Sequence, residues 1–240
     1  MTAYILIRVI LAVAGVFFGV LEGNGAVWIF NRIPESWLLD YGQTQKEADK
    51  EPDDDPYRQR IRRNPWRYLF SGLFVVLNIT MFEEDWQFGI IASAAMWFLL
   101  EMAISDKLYR IVPDQFILLL AVCGLGFLPY HGSWQDCLFG AAAGFGVTAL
   151  IELLGKVTYR REAIGGGDIK LFTALGFMCG VSGVLFIFAA SAVVAAAHFV
   201  VMLMRKKIKR TDSLPMVPYI AACAAVYLAF LWGRFEIIEF

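Results

Sequence analysis

The chain has 240 residues, 59% of them hydrophobic and only 18% charged, with a mean hydropathy of +0.60. That composition excludes an ordinary soluble domain, where about a quarter of residues are charged, and predicts an integral membrane protein. The formal net charge of -1 conceals strong segregation, so the positions of the basic residues matter more than their sum, and no nucleic-acid partner is expected.

A membrane-crossing helix needs about 20 apolar residues, fewer where protein shields it. Eight segments are predicted on that measure: Tyr4 to Val20, Trp66 to Met81, Phe88 to Ile104, Gln115 to Tyr130, Trp134 to Leu154, Ile169 to Cys179, Val184 to Met204 and Val217 to Trp232. The first is not expected to be a signal peptide, because Arg8 is its only early basic residue and no small-residue cleavage pattern follows. Between the first two segments, about Gly23 to Pro65 forms the one sizeable soluble stretch, a short cytoplasmic loop region. Its centre, Lys46 to Pro56, is charged and broken by proline, and is expected to be a mobile, solvated linker. Arg58, Arg60, Arg62 and Arg63 precede the second segment and are placed to meet anionic headgroups of the membrane lipid. With no internal repeat, residues 1–240 read as a single all-α, polytopic membrane domain. The four cysteines, Cys123, Cys137, Cys179 and Cys223, stand singly in apolar stretches and read as small core residues, so no metal site or disulfide framework is expected.

Alternating the sides on which eight segments leave the bilayer collects 19 of the 21 Lys and Arg on one face; only Arg8 and Arg234 fall elsewhere. Basic residues favour the cytoplasmic side. Four loops are therefore expected in the cytoplasm and both termini outside. This orientation brings Asp106 and Asp168 to the same cytoplasmic face.

Ionisable groups at membrane depth are costly and mark function or pairing. Asp168 ends the run Ala163-Ile164-Gly165-Gly166-Gly167-Asp168 and opens an apolar segment. An acidic residue in the first turn of a helix also has a plain structural explanation. If folding brings Asp168 within a few ångströms of Asp106, repulsion lets the pair share one proton. One ionised carboxylate then takes a proton from water while the protonated one polarises a peptide carbonyl and later protonates the leaving amine. Gly165, Gly166 and Gly167 suit such a site because backbone without Cβ approaches a substrate strand closely. Lys170 has two readings, a cation steadying ionised Asp168 or a basic flank of the span.

Asp106 in turn begins Asp106-Lys107-Leu108-Tyr109-Arg110-Ile111-Val112-Pro113, a basic turn running to a proline seven residues on. With these two motifs the chain resembles the type IV prepilin peptidases, whose first aspartate lies in a D-x-R-x-x-x-I-P kind of turn and whose second ends G-x-G-D. Gly23-Asn24-Gly25 through Phe30-Asn31-Arg32-Ile33-Pro34 resembles the family's G-S-F-L-N-V-V-I-Y-R-L-P. Arg160-Arg161-Glu162-Ala163 with Gly165 to Leu171 resembles the segment around the second aspartate, and Leu214 to Tyr219 the late P-F-G-P-F turn.

The resemblance implies an aspartic endopeptidase with Asp106 and Asp168 as its dyad and Gly165, Gly166, Gly167 and Lys170 positioning the substrate. The implied substrates are prepilins or pseudopilins, cut after a glycine that ends a basic leader, at the cytoplasmic face of a bacterial inner membrane. No cofactor is implied. The chain departs from many members in lacking two C-x-x-C pairs in the first loop, which removes the zinc ligands and puts N-methylation in doubt; Val27 also stands where the family has Asn. Two alternatives use the same carboxylates. A presenilin-like intramembrane protease shares G-x-G-D but has Tyr before its first aspartate and a P-A-L triplet late, where this chain has Ser105 and Leu214-Pro215-Met216. A proton-coupled transporter would use the acids as a relay. Asn78, Glu101, Glu152 and His198 fall within the segments and either line a polar cavity or join helices by hydrogen bonds. His131 is expected to be solvated in an outer turn, and Gly140 with Gly144 to mark close helix packing.

Overall fold

A computed structural model describes residues 2–38, 60–159, 164–209 and 213–233. The expected linker at Lys46 to Pro56, together with Arg58 and residues 160–163, lies outside them. Among the described residues all regular structure is helical: α1 (Thr2–Phe30), α2 (Trp66–Glu84), α3 (Trp86–Tyr109), α4 (Asp114–Gly126), α5 (Trp134–Tyr159), α6 (Gly166–Met204) and α7 (Val217–Val226), the last continuing as a π-helical turn, Tyr227–Leu231. The helices starting at Tyr4, Trp86, Trp134 and Gly166 are long and apolar enough to cross a membrane, and two shorter apolar helices are Asp114–Gly126 and Val217–Leu231. Their outer faces carry exposed Ile7, Val13, Leu118, Val122, Val157 and Val193, as helices solvated by lipid do.

The backbone falls into two compact units, Met1–Trp97 and Phe98–Phe240. In the first, α1 lies against α2 along three glycines spaced four apart. A Cβ on Gly15, Gly19 or Gly23 would approach the backbone nitrogen of Ile79, Val75 or Ser71 to 3.0, 2.4 and 2.1 Å. Such small-residue stripes let membrane helices meet backbone to backbone. Here α1 departs from expectation: it continues to Phe30, and the segment joining the first two spans begins beyond it instead of at Gly23. The glycines are contact surface, not turn, and Ala26, Val27 and Phe30 are buried behind them. Asn31 then exchanges hydrogen bonds with the Ile61 backbone (2.9 and 3.1 Å), and Arg60 donates to the Ile33 carbonyl at 2.7 Å.

Glu22 gathers the polar groups inside this unit. Its carboxylate accepts from Asn78 Nδ2 at 2.8 Å and from the Ser93 hydroxyl, while Trp97 Nε1 donates to its backbone carbonyl at 3.1 Å. Asn78 therefore joins helices. Asp85 separates α2 from α3 in an extended conformation (φ -149, ψ 109) and caps the latter through the Gln87 and Phe88 amides.

In the second unit, α5 and α6 meet at Gly140, Gly144 and Gly176. Added Cβ atoms there would approach the Gly176, Phe172 and Gly140 carbonyl oxygens to 2.1, 2.2 and 2.1 Å, which bears out the close packing expected at Gly140 and Gly144. The expected sixth and seventh segments are one 39-residue helix, α6, interrupted at Gly180 (φ 69, ψ -178). Uninterrupted it would reach roughly 58 Å, about twice the hydrocarbon thickness. The Gly180 torsions belong to a region essentially closed to other residues. His131, expected to be solvated, is instead half-buried: the break disturbs the hydrogen-bond ladder, and the imidazole Nε2 lies 2.9 Å from the Met178 carbonyl oxygen, with Trp232 against its ring. His198 pairs with the Tyr219 hydroxyl, linking α6 to α7.

Candidate active site

Asp106 occupies the last turn of α3 and is largely buried. The turn beyond it is built from its own backbone. The Arg110 amide donates to the Asp106 carbonyl at 3.0 Å, with Arg110 in the left-handed region (φ 61) that usually ends a helix through glycine. The Ser105 hydroxyl closes the turn on the Ile111 carbonyl at 2.8 Å. Pro113 then caps α4 in an extended conformation and forces the new helix to begin at Asp114.

The Asp106 side chain points at the start of α7. Its Oδ2 accepts the Val217 amide at 2.9 Å, and the Met216 amide also engages it. Helix N-termini carry unpaired N–H groups and partial positive charge, so a carboxylate is stabilised there. Pro218, the second residue of α7, offers no N–H, which concentrates the donation on its neighbours. The Leu214 to Tyr219 turn, singled out in the sequence without a task, thus holds one oxygen of Asp106.

Asp168 is the third residue of α6, behind the N-cap Gly165 (φ -67, ψ 147). Its amide donates to the Gly165 carbonyl at 3.0 Å, and its carboxylate takes a backbone hydrogen bond from Gly165, the half of a capping box that an N-cap without a side chain allows. The second, half-buried acid lies within electrostatic reach of Asp106. Gly167 is where the two turns touch: a Cβ there would sit 3.0 Å from Val112 Cβ. Among the described residues an added Cβ on Gly166 would meet nothing within 4 Å, and one on Gly165 only Asp168 Oδ2, at 3.8 Å, so this stretch of backbone is uncrowded by them.

Lys170 binds both oxygens of Asp114, at 2.9 and 2.8 Å. Lys170, expected either to steady Asp168 or to flank the span as a basic residue, thus ties the start of α6 to the start of α4. Glu152 does a similar service from α5, accepting the Ile164 amide at 2.8 Å just before the glycines and pairing with Lys156 at 3.0 Å. Neither the Asp114 pairing nor the Glu152 contact is announced by the sequence. The only signal for either was a carboxylate next to Pro113 and another near the end of an apolar helix. Glu101, fully buried on α3, has no hydrogen-bond partner among the described residues at either carboxylate oxygen. Among the described residues no group of three or more His, Cys, Asp or Glu is placed to hold a metal ion.

Fold and site define a helical membrane protein in which an acid at the end of α3 and one at the start of α6 lie within electrostatic reach of each other. Residues 93–201, which include both, match the type IV leader peptidase family. The prepilin leader peptidase/N-methyltransferase of Xanthomonas campestris is 32% identical over 217 residues, 89% of this chain and 71% of that protein. The protein of the same name from Pseudomonas aeruginosa is 31% identical over 176 residues, 72% of this chain but only 59% of the relative's length. The leader peptidase HopD of Salmonella typhimurium is 32% identical over 137 residues, 54% of this chain and 85% of HopD. No solved structure matches. This chain belongs to the type IV leader peptidase family, and it is a peptidase.

Proposed function

We propose that the protein is an aspartic endopeptidase of the bacterial inner membrane that removes the basic leader from type IV prepilins or pseudopilins, with Asp106 and Asp168 as its catalytic pair. The observation that carries this reading is that two acids from separate helix ends lie within electrostatic reach of each other, beside the uncrowded backbone of Gly165 and Gly166. In the reaction, one carboxylate takes a proton from water as the water oxygen bonds to the peptide carbonyl carbon. The protonated partner hydrogen-bonds the carbonyl oxygen, and a proton then passes to the amide nitrogen as the C–N bond breaks. Gly165 and Gly166 give the scissile strand backbone to lie against, and Lys170, through Asp114, keeps that edge in register.

The eight-span arrangement fits a helix set in which α6 is divided at Gly180, and it places both acids on the face holding 19 of the 21 basic residues. A leader that stays in the cytoplasm while the substrate's apolar helix remains in lipid arrives on that face. Cleavage after the leader's terminal glycine is part of the same reading, and residues 1–240 act as one peptidase domain.

The test co-expresses the protein with a prepilin and follows leader loss by gel shift, with mass spectrometry of the mature N-terminus to locate the cut and read any added methyl group. Asp106→Asn and Asp168→Asn, which keep shape and remove the acid, are each expected to slow cleavage by about 100-fold or more. Leader removal that persists at the original rate in both variants refutes the assignment.

A further inference from the structure

Arg110 is an unusual residue for its place. Left-handed torsions are strained for side chains other than Gly, Asn and Asp, and the position after a helix end is where glycine ordinarily sits. Its guanidinium reaches across to the α7 turn, where Nη2 donates to the Ser213 carbonyl at 2.9 Å. Four residues beyond Ser213, the Val217 amide donates to Asp106 Oδ2, and the Arg110 amide donates to the Asp106 carbonyl. These three hydrogen bonds close a ring: Asp106 backbone to Arg110, Arg110 side chain to Ser213, and the 213–217 segment back to the Asp106 side chain. Pro215 lies inside that segment and limits its freedom. Its amide donor is fixed over Asp106 only while the turn is held, and within the ring Arg110 is the side chain that holds it.

We propose that Arg110 is a positioning residue for Asp106, keeping the α7 N-terminus seated on one carboxylate oxygen so that the other stays aimed at the water and the scissile carbonyl. The proposal rests on the reading of Asp106 as one of the catalytic pair. It assigns the 213–217 turn the task of orienting the acid, through a residue that does not touch substrate.

Glycine gives a clean test, because it adopts φ 61 without strain while the whole side chain, guanidinium included, is removed. The full chain, purified in detergent, is assayed against a purified prepilin whose basic leader ends in glycine. Arg110→Gly is expected to lower kcat about tenfold or more while KM stays within about twofold, since loss of alignment acts on the chemical step and not on uniform substrate binding. Its melting temperature is expected to equal or exceed that of the parent. Arg110→Asn, which also tolerates the left-handed region, is expected to match Arg110→Gly, and Arg110→Lys, which keeps a donor for Ser213, to recover at least about threefold of the lost kcat. Full kcat in Arg110→Gly overturns the proposal, as does a raised KM at unchanged kcat, which would make Arg110 a contact for the leader. An Arg110→Lys rate no better than that of Arg110→Gly overturns it too. Asp106→Asn in the same assay separates the two levels. Its inactivity beside a fully active Arg110→Gly removes only the role of Arg110, whereas its full activity removes the dyad and the positioning role together.

Discussion

Gly140 and Gly176 set how closely α5 can approach α6, the helix that opens at Asp168. A Cβ on Gly140 would lie 2.1 Å from the Gly176 carbonyl oxygen and 2.7 Å from both the Cα and carbonyl carbon of Gly180, all of them backbone atoms. Ordinary carbon-to-oxygen contacts begin near about 3.3 Å, so Gly140→Ala requires a retreat of about 1.2 Å that no side-chain rotation supplies. Overpacking of this kind costs about 1–3 kcal/mol. Replacing glycine by alanine within a helix acts in the opposite direction by about 0.5–1 kcal/mol. Gly146 isolates that second effect: it lies on the same helix, and nothing stands within 4 Å of its added Cβ. Gly146→Ala is therefore expected to be neutral or stabilising, and the difference between the two variants is the packing cost alone. Thermal unfolding of the purified protein in detergent, followed by tryptophan fluorescence, should place Gly140→Ala several degrees below Gly146→Ala, since a chain of this size shifts roughly 2–4 °C per kcal/mol. Leader cleavage should fall with it, because Asp168 rides on the displaced helix. Equal melting temperatures for the two variants would refute the backbone-to-backbone contact.

Two further outcomes follow from the same helices. Gly180→Ala forces a side chain into φ 69, ψ -178 and is expected to cost about 1–3 kcal/mol, read as a lowered melting temperature; an unchanged value would mean that the break is not fixed there. The Lys170–Asp114 pair is about 45% exposed on each side, so Lys170→Ala should lower stability by no more than about 1 kcal/mol. Its expected role lies in registering the two turns: Lys170→Asp should reduce cleavage severalfold, and adding Asp114→Lys should restore it by re-forming the pair with its charges exchanged. A double variant no more active than the single one would count against the brace.

Much of the site was legible because its two acids contradict their surroundings. Asp106 and Asp168 are charges in apolar segments, and the glycines before Asp168 have no purpose in a helix except to leave backbone bare. The groups that align those acids left weaker traces. Val217 binds Asp106 through its amide, which no residue identity announces, and Arg110 binds a carbonyl 103 residues along the chain, so neither has a local pattern. Lys170 pairs with Asp114 of α4, which neither of its two sequence readings names, because spacing along one helix does not reveal a carboxylate delivered by another. The fold shows the same division. Hydropathy located the helices but not where they stop: the soluble stretch is expected from about Gly23, whereas α1 runs on to Phe30 with Gly23 in helix contact, and Gly180 within α6 divides what composition alone separates into two segments. A glycine in a membrane sequence thus has several structural meanings, close approach at Gly19, a break at Gly180 and open backbone at Gly166. Only the neighbouring helix decides among them. Hence the two acids could be read from the chain, while the hydrogen bonds that hold their turns emerge from contacts between distant segments.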